Sequence, residues 1–168
     1  MLKLNIGSGQ RKFVGDWTNI DINPKWAPDI VASGDKLPML QDGCASYVVL
    51  HHVLEHFGCG EGAGLLREAW RLLRPDGSLL VFVPDMRELA AMWFRGELDD
   101  QIYLTNVYGA YMDSEADRHK WGYTEYSLAK HLNQCAAWRS VHRFDWRAIV
   151  GADIARDKWI IGLEAIKG

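Results

Sequence analysis

Cysteine is scarce in this 168-residue sequence, which has only Cys44, Cys59 and Cys135. An odd number of widely spaced cysteines neither builds a disulfide framework nor offers the paired thiolates of a structural zinc site. The residues after Met1 also lack the positive leader, the long apolar stretch and the cleavage site of a secretory signal. We therefore expect reduced thiols, a cytoplasmic protein and no resident metal.

Long apolar runs and a surplus of positive charge are missing as well. No run approaches the roughly 18 apolar residues that cross a membrane. The chain has 19 Lys plus Arg against 22 Asp plus Glu, a net charge of −3, and its basic residues are dispersed, so nothing favours nucleic acid as a partner. With 48% apolar and 24% charged residues and no repeat or linker, residues 1–168 are expected to form one domain.

Short apolar runs separated by turn residues predict strands, and longer runs with helical spacing predict helices between them. The predicted strands cover residues 2–6, 18–22, 29–32, 47–50, 79–83, 140–144 and 159–166. Helices are predicted at 61–74 and 124–137, and the polar, aromatic-rich residues 85–124 are predicted to be a helical insert between strands 5 and 6. This alternation favours an open, mostly parallel α/β sheet whose ligands bind beyond the carboxyl ends of its strands.

Residues suited to a ligand follow the first two predicted strands. Gly7 and Gly9 let the backbone turn sharply and approach a ligand closely. Lys12 stands where a dinucleotide-binding fingerprint has its third glycine, and Asp21 follows Gly9 by twelve residues instead of roughly 20. A plain tight turn and a turn cap therefore remain alternatives to a carboxylate that binds ribose hydroxyls.

Polar groups also follow the third and fourth predicted strands. Asp35 and Leu37 combine a carboxylate for an exocyclic amine with a flat apolar contact, although an Asx-turn at Asp35 is the simpler explanation of that residue alone. The run His51–His56 places a polar cluster beyond a buried strand. Residues suited to a ligand after four successive strands are much less expected by chance than such residues after any one strand.

Together these stretches resemble the class I S-adenosylmethionine-dependent methyltransferases, particularly the small group labelled type 11. The resemblance spans residues 2–84, about half of the chain, and rests on Leu4–Gly9, Asn19–Ile22, Asp35–Pro38, Val49–His56 and Leu72–Leu79. It implies a Rossmann-like, doubly wound, mostly parallel sheet of seven strands with an antiparallel last strand, and S-adenosylmethionine as the cofactor.

The same resemblance implies a role for each matching residue. The implied cofactor-binding residues are Gly7, Ser8 and Gly9 at the amino-acid end, Asp21 at the ribose, Ile22 against the adenine, Asp35 at the adenine amine with Lys36 beside it, Leu37 against the adenine ring and His51 at the methionine moiety. A sulfonium already carries an activated methyl group, so the protein mainly aligns a nucleophile with it and excludes water. No covalent residue is required.

The insert supplies most of the candidates for the acceptor side. His119 is the candidate catalytic residue, because a histidine can take a proton from a hydroxyl or an amine. Tyr111, Trp121 and Tyr123 lie near it in sequence and, with His52, are the candidate residues for binding a small-molecule or glycan-like acceptor. A surface histidine and core aromatic residues are the alternatives.

Two other functions remain open at this point. His52, Glu55 and His56 match H-x-x-E-H, in which two histidines on one helix face bind zinc in a hydrolase and the glutamate handles protons. The motif directly follows a strand and soon meets Gly58, so a bracing role in a loop is favoured for Glu55 and His56. The other alternative is a cofactor-binding module that keeps the fold without transfer activity.

Two features depart from the pattern of the family. Only residues 10–17 connect the first two strands, so the first crossover helix must be very short or replaced by a loop. The helix that commonly precedes the first strand and covers the cofactor is not visible. We expect the insert, or a second copy of the chain in a homodimer, to provide this cover.

Overall fold

Seven β-strands in the described residues form one sheet. The computed structural model describes residues 1–110, 115–145 and 158–168. The strands are β1 (Leu2–Ile6), β2 (Trp17–Asp21), β3 (Ile30–Val31), β4 (Ala45–His51), β5 (Leu73–Pro84), β6 (Trp138–Arg143) and β7 (Ile160–Lys167). Their order is β3-β2-β1-β4-β5-β7-β6; β1 to β5 are parallel, and β7 is antiparallel to both of its neighbours. The predicted mostly parallel sheet and its antiparallel last strand are confirmed.

The central strands are buried on both faces of the sheet. Every residue of β5 from Leu79 to Val83 is buried, as a continuous apolar run predicts for a covered strand. Ile6 in β1 pairs with Ile20 in β2 on one side and with Leu50 in β4 on the other. This register places the carboxyl ends of β1, β2 and β4 side by side at one edge.

The described residues contain four α-helices: α1 (Cys59–Leu72), α2 (Met86–Phe94), α3 (Asp100–Tyr108) and α4 (Glu125–Cys135). α1 and α4 correspond to the two predicted helices, and Leu65 of α1 and Leu128 of α4 lie in the main core. The Thr124 side chain accepts a hydrogen bond from the Ser127 amide and so caps α4. No helix in this part of the chain combines the length and the apolar character needed to span a membrane.

Residues 85–124 include α2, α3 and a 3₁₀ turn at Glu115–Asp117. Each of the two helices begins after a capping aspartate, Asp85 or Asp99, whose carboxylate accepts first-turn amides. The buried residues Leu89 and Met92 belong to a small core separate from that of the sheet. The segment therefore has apolar packing of its own.

The connection between β1 and β2 is a loop, as its length predicts, and a buried pair of amides holds it. Asn5 donates from Nδ2 to Asn19 Oδ1 at 2.9 Å, and both residues are buried. Asn19 Oδ1 also accepts the Phe13 amide at 2.8 Å, and Asn19 Nδ2 donates to the Phe13 carbonyl at 3.0 Å. These bonds satisfy buried polar groups of the crossover without a helix.

Several boundaries differ from the predicted ones, among them the ends of β2 and α1. β2 ends at Asp21, so Ile22 lies in the loop beyond the sheet edge. α1 ends at Leu72 because Leu73 already pairs with Ala45 of β4, and β5 therefore begins six residues before the predicted strand.

Gly34, in the turn after β3, packs so closely on the core that a larger side chain should destabilise the protein. A Cβ on Gly34 would lie 2.4 Å from Ile6 Cγ2 and 3.1 Å from Leu65 Cδ1. We expect Gly34→Ala to lower the free energy of unfolding, measured by urea denaturation, by about 1–3 kcal/mol through overpacking.

Gly64→Ala in α1 is the matched control. No described heavy atom lies within 4 Å of a Cβ at Gly64, and alanine favours a helix over glycine by about 1 kcal/mol, so this variant should be at least as stable as the wild type. Equal stability of the Gly34→Ala and Gly64→Ala variants would contradict the close packing of Gly34.

Candidate active site

A cavity of about 430 Å³ lies at the edge of the sheet where β3, β2, β1 and β4 end. This volume is in the usual range of small-molecule sites, and the strand order reverses at this edge between β1 and β4. The loop after each strand contributes to the wall: Gly7 and Gly9 after β1, Asp21 and Ile22 at the end of β2, Asp35 after β3, and His52, Val53 and His56 after β4.

The turn after β1 holds two glycines in backbone conformations that favour glycine. The φ angle is +69° at Gly7 and +50° at Gly9. A Cβ on Gly7 would lie 2.4 Å from Val53 Cγ2, whereas a Cβ on Gly9 would meet no described atom within 4 Å. Gly7 therefore allows two loops to pack together, and Gly9 leaves open space at the cavity wall.

Asp21 connects the two loops on its side of the cavity. Its Oδ2 accepts the Gly9 amide at 2.7 Å, and its Oδ1 accepts the Asn23 amide at 2.8 Å. A carboxylate offers about four lone pairs, so these two bonds leave capacity for hydroxyl groups of a ligand. The short crossover loop thus brings the glycine turn and the carboxylate together.

Ile22 and Asp35 face the cavity from neighbouring loops. Ile22 is 57% exposed and lines the cavity, as does Trp26. Asp35 also lines it and accepts a hydrogen bond from the Ser33 hydroxyl. Apolar surface near a carboxylate suits a flat ring that carries an amine.

His52 and Glu55 form a pair beyond the end of β4. His52 has a φ of 54°, a left-handed conformation that is uncommon for histidine, and its Nδ1 lies 3.0 Å from Glu55 Oε1. Glu55 is only 1% exposed. Burial raises the pKa of the Glu55 carboxyl, but the hydrogen bond from His52 and the charges of His52, His56 and His119 outweigh it and hold the pKa below its usual value.

The main chain of Glu55 binds the end of the insert beside the cavity, at Lys120 and Trp121. Its carbonyl accepts the Lys120 amide at 2.8 Å and the Trp121 amide at 3.1 Å. Lys120 Nζ lies 3.5 Å from Glu61 Oε2, and both of these side chains line the cavity. The loop after β4 therefore sets the position of this part of the insert.

Known proteins share the sequence pattern and the fold. Residues 4–81 match the family model described as "Methyltransferase domain", while no curated protein sequence matches the chain. The crystal structure of a SAM-dependent methyltransferase from Archaeoglobus fulgidus has a TM-score of 0.68 at 17% identity, over 99% of this chain and 86% of that chain. A SAM-dependent methyltransferase from Methanosarcina mazei has a TM-score of 0.63 at 19% identity, over 99% and 92%.

A third structure contains ligands. It is the 1,6-didemethyltoxoflavin-N1-methyltransferase of Burkholderia thailandensis with 1,6-didemethyltoxoflavin and S-adenosylhomocysteine bound, and it has a TM-score of 0.61 at 16% identity, over 99% of this chain and 70% of that chain. The structural likenesses show the fold, and the sequence match shows a methyltransferase domain within it. Together these findings support an S-adenosylmethionine-dependent methyltransferase.

The cavity has features that fit S-adenosylmethionine, the cofactor of the methyltransferases that share this fold. Gly9 leaves open space where a side chain would stand, and Asp21 retains acceptor capacity at the cavity wall. Five of the nine residues predicted to bind the cofactor line the cavity, namely Gly7, Gly9, Asp21, Ile22 and Asp35.

The other four predicted cofactor residues are not among the described residues that line the cavity. Lys36 is exposed, whereas Ser8 and His51 are buried. Leu37 is fully buried in the main core, because burying a leucine side chain is favourable by about 2 kcal/mol. This position corrects the predicted contact of Leu37 with the adenine ring.

Two aromatic residues predicted to bind the acceptor have other environments. Tyr123 is 1% exposed and its hydroxyl lies 3.0 Å from His131 Nδ1, so it is a hydrogen-bonded core residue, which corrects its predicted role. Trp121 is 46% exposed but is not among the described cavity-lining residues. Tyr111 lies outside the described residues.

Of the two histidines predicted for the acceptor side, His52 lines the cavity and His119 does not. His119 is half-buried, and its Nδ1 lies 2.7 Å from the Asn106 carbonyl oxygen. Burial lowers the pKa of His119 below its usual value. The predicted catalytic histidine is therefore not among the described residues that line the cavity.

His52, Glu55 and His56 do not lie on one α-helix, as the zinc-hydrolase motif requires. Leu54–His56 is a single 3₁₀ turn, and His52 precedes that turn in a left-handed conformation. His52 and His56 therefore do not share an α-helical face, and His52 Nδ1 is bonded to Glu55.

Trp26, His56 and Lys120 are among the cavity-lining residues that were not predicted to bind a cofactor or an acceptor. His56 belongs to the polar run after β4, and its position beyond a buried strand was the available signal. Trp26 reaches the cavity because it lies in a 3₁₀ turn, and Lys120 reaches it because its amide is bonded to the Glu55 carbonyl. The sequence carries no comparable signal for either position.

His51 should make the stability of the protein depend on pH. Burial, followed by the charges of His52 and Arg11, lowers the pKa of His51 from 6.5 to about 3, so the unfolded chain binds a proton that the folded chain does not between these values. The contribution of neutral His51 is complete above pH 6.5 and is lost as the pH falls toward 3.

We expect the wild type to lose about 1–2 kcal/mol more than His51→Gln between pH 7 and pH 5. Urea denaturation at pH 7, 6 and 5 measures the difference between the two proteins. Parallel pH profiles would show that His51 takes up a proton as readily in the fold as in the unfolded chain.

Proposed function

We propose that the protein transfers the methyl group of S-adenosylmethionine to a small-molecule or glycan-like acceptor in the cavity. One observation carries the proposal: two kinds of group line the same cavity. Main-chain atoms and carboxylates at Gly9, Asp21 and Asp35 suit a nucleoside. Cationic or hydrogen-bonding side chains, His52 and Lys120, suit a polar acceptor.

The carboxylate side is assigned to the cofactor. Asp21 accepts hydrogen bonds from the ribose hydroxyls with the lone pairs that the Gly9 and Asn23 amides leave free. Ile22 offers apolar surface to the adenine, and Asp35 accepts a hydrogen bond from its amine. S-adenosylmethionine, when bound, supplies a methyl group activated by the attached sulfonium.

The other side is assigned to the acceptor. Glu55 fixes the ring of His52 through Nδ1, which leaves Nε2 as the nitrogen available for a hydrogen bond with an acceptor. Alignment of the acceptor and exclusion of water are the tasks of these side chains. The small molecule bound in the Burkholderia thailandensis structure supports an acceptor of this size.

Replacement of Asp21 should weaken cofactor binding. We expect Asp21→Ala to raise the Kd of S-adenosylmethionine and of S-adenosylhomocysteine by roughly 10- to 150-fold, or about 1.5–3 kcal/mol, because a charged acceptor is lost. Titration calorimetry measures both affinities, and thermal unfolding verifies that the variant is folded.

Asp76→Asn is the matched control for that experiment. Asp76 is an exposed aspartate near the amino end of β5 that pairs with Arg139, so the affinity for both ligands should be unchanged. An unchanged affinity in a folded Asp21→Ala variant would remove Asp21 from the cofactor site.

The acceptor class can be tested without knowing the acceptor. When the protein is incubated with methyl-labelled S-adenosylmethionine and a cell extract, we expect the new label in the small-molecule fraction, since the cavity admits molecules of that size. The extract without protein and the Asp21→Ala variant are the controls. Label confined to protein or nucleic acid would refute the proposed acceptor class.

A further inference from the structure

Glu55, His56 and His119 form a cluster of metal-binding residue types beside the cavity. Each offers one ligand atom, and the three atoms all lie within 4.8 Å of one another. The rings of His56 and His119 meet edge to face with their centroids 4.9 Å apart, and His56 lines the cavity. The proposed methyl transfer uses only one oxygen of this cluster, Glu55 Oε1.

The second oxygen of Glu55 is the observation that points to a cation. Oε1 is bonded to His52 Nδ1, whereas Oε2 is buried and has no hydrogen-bond partner among the described residues. A buried charged oxygen without a partner costs about 1–3 kcal/mol or more. Buried charges in proteins are generally paired or coordinate metal ions, and an ion would supply the missing partner.

The two imidazoles are already oriented as metal ligands usually are. His119 Nδ1 lies 2.7 Å from the Asn106 carbonyl oxygen, and His56 Nδ1 lies 3.3 Å from the Arg118 carbonyl oxygen. A carbonyl oxygen only accepts, so Nδ1 carries the proton in each ring and Nε2 keeps its lone pair. Metal-binding histidines typically donate a hydrogen bond from the N–H of their second ring nitrogen to such an oxygen.

We propose that Glu55, His56 and His119 bind one divalent first-row transition-metal ion at the wall of the cavity. Two imidazoles and a carboxylate suit Zn²⁺ and its neighbours in the series, whereas Mg²⁺ and Ca²⁺ prefer oxygen ligands alone. Three protein ligands leave at least one coordination position open. Because His56 lines the cavity, a water or hydroxyl oxygen can reach that position.

The geometry requires a small contraction of the cluster. Zn²⁺ bonds of about 2.0–2.1 Å place tetrahedral ligand atoms roughly 3.3 Å apart, and the ligand atoms of this cluster now lie within 4.8 Å of one another. His56 lies in a short 3₁₀ turn and His119 follows another such turn, so rotation of their partly exposed rings can close the remaining distance.

This ligand set differs from the H-x-x-E-H motif. His52 is not a member of the cluster of ligand atoms that lie within 4.8 Å of one another; its Nδ1 is bonded to Glu55 Oε1, so it positions the carboxylate instead. The third ligand is His119, which is contributed by the insert 63 positions after His56 in the sequence.

The test is metal binding by the full chain after chelator treatment and dialysis, without cofactor or acceptor. We expect one Zn²⁺ per chain by titration calorimetry and a visible d–d absorption on addition of Co²⁺. His56→Ala and His119→Ala should each weaken Zn²⁺ binding at least about tenfold. Glu55→Gln should weaken it as well, because the amide carries no charge.

His142→Ala is the matched control. His142 in β6 pairs with Glu164 in β7 at 3.1 Å, away from the cluster, so its removal should leave Zn²⁺ binding unchanged.

Thermal unfolding verifies the fold of each variant; if Glu55→Gln does not fold, the two histidine variants decide. Unchanged binding in both folded histidine variants, an equal loss in His142→Ala, or no binding of Zn²⁺ and Co²⁺ to the wild type would each overturn the proposal. Since S-adenosylmethionine affinity is measured separately, failure of the metal site leaves the methyl-transfer proposal standing.

Discussion

A buried hydrogen bond between Asn5 in β1 and Asn19 in β2 sets the geometry on which the cavity depends. Asn19 also binds Phe13 in the crossover loop and donates to Asp29 Oδ2 at 3.0 Å. Because these amides satisfy the buried polar groups of the crossover, no helix is needed between the two strands. The short loop returns the chain to β2 so that the carboxylate of Asp21 reaches the glycine turn.

The loop after β4 links the sheet to the rest of the site. The carbonyl of Glu55 binds two amides of the insert, and its buried carboxylate binds His52. A single residue thus fixes one side chain in the cavity wall and the position of a segment more than sixty residues away. Loss of the carboxylate charge would weaken the bond to His52, whereas the main-chain bonds to the insert do not involve that charge.

Local pattern was enough for much of this protein. The strands and the helices α1 and α4 follow from periodicity, and the glycine turn and Asp21 follow from their places at strand ends. Leu37 shows where the pattern fails: its neighbour Asp35 lines the cavity, but the Leu37 side chain packs in the core. The prediction for Tyr123 was wrong for the same reason. An aromatic residue in a polar segment is equally able to pack in a core, and the Tyr123 hydroxyl is hydrogen-bonded to His131.

The amino-acid sequence by itself determined the order of the elements, the parallel sheet and the residues at its carboxyl edge, because these depend on short-range periodicity and on turn chemistry. Only the tertiary structure decided which polar residues lie close to one another around the cavity. The bonds from Lys120 and Trp121 to the Glu55 carbonyl, and the meeting of His56 with His119, join residues that are distant in the chain. No local spacing encodes such contacts, since they arise when separate segments pack on one sheet edge.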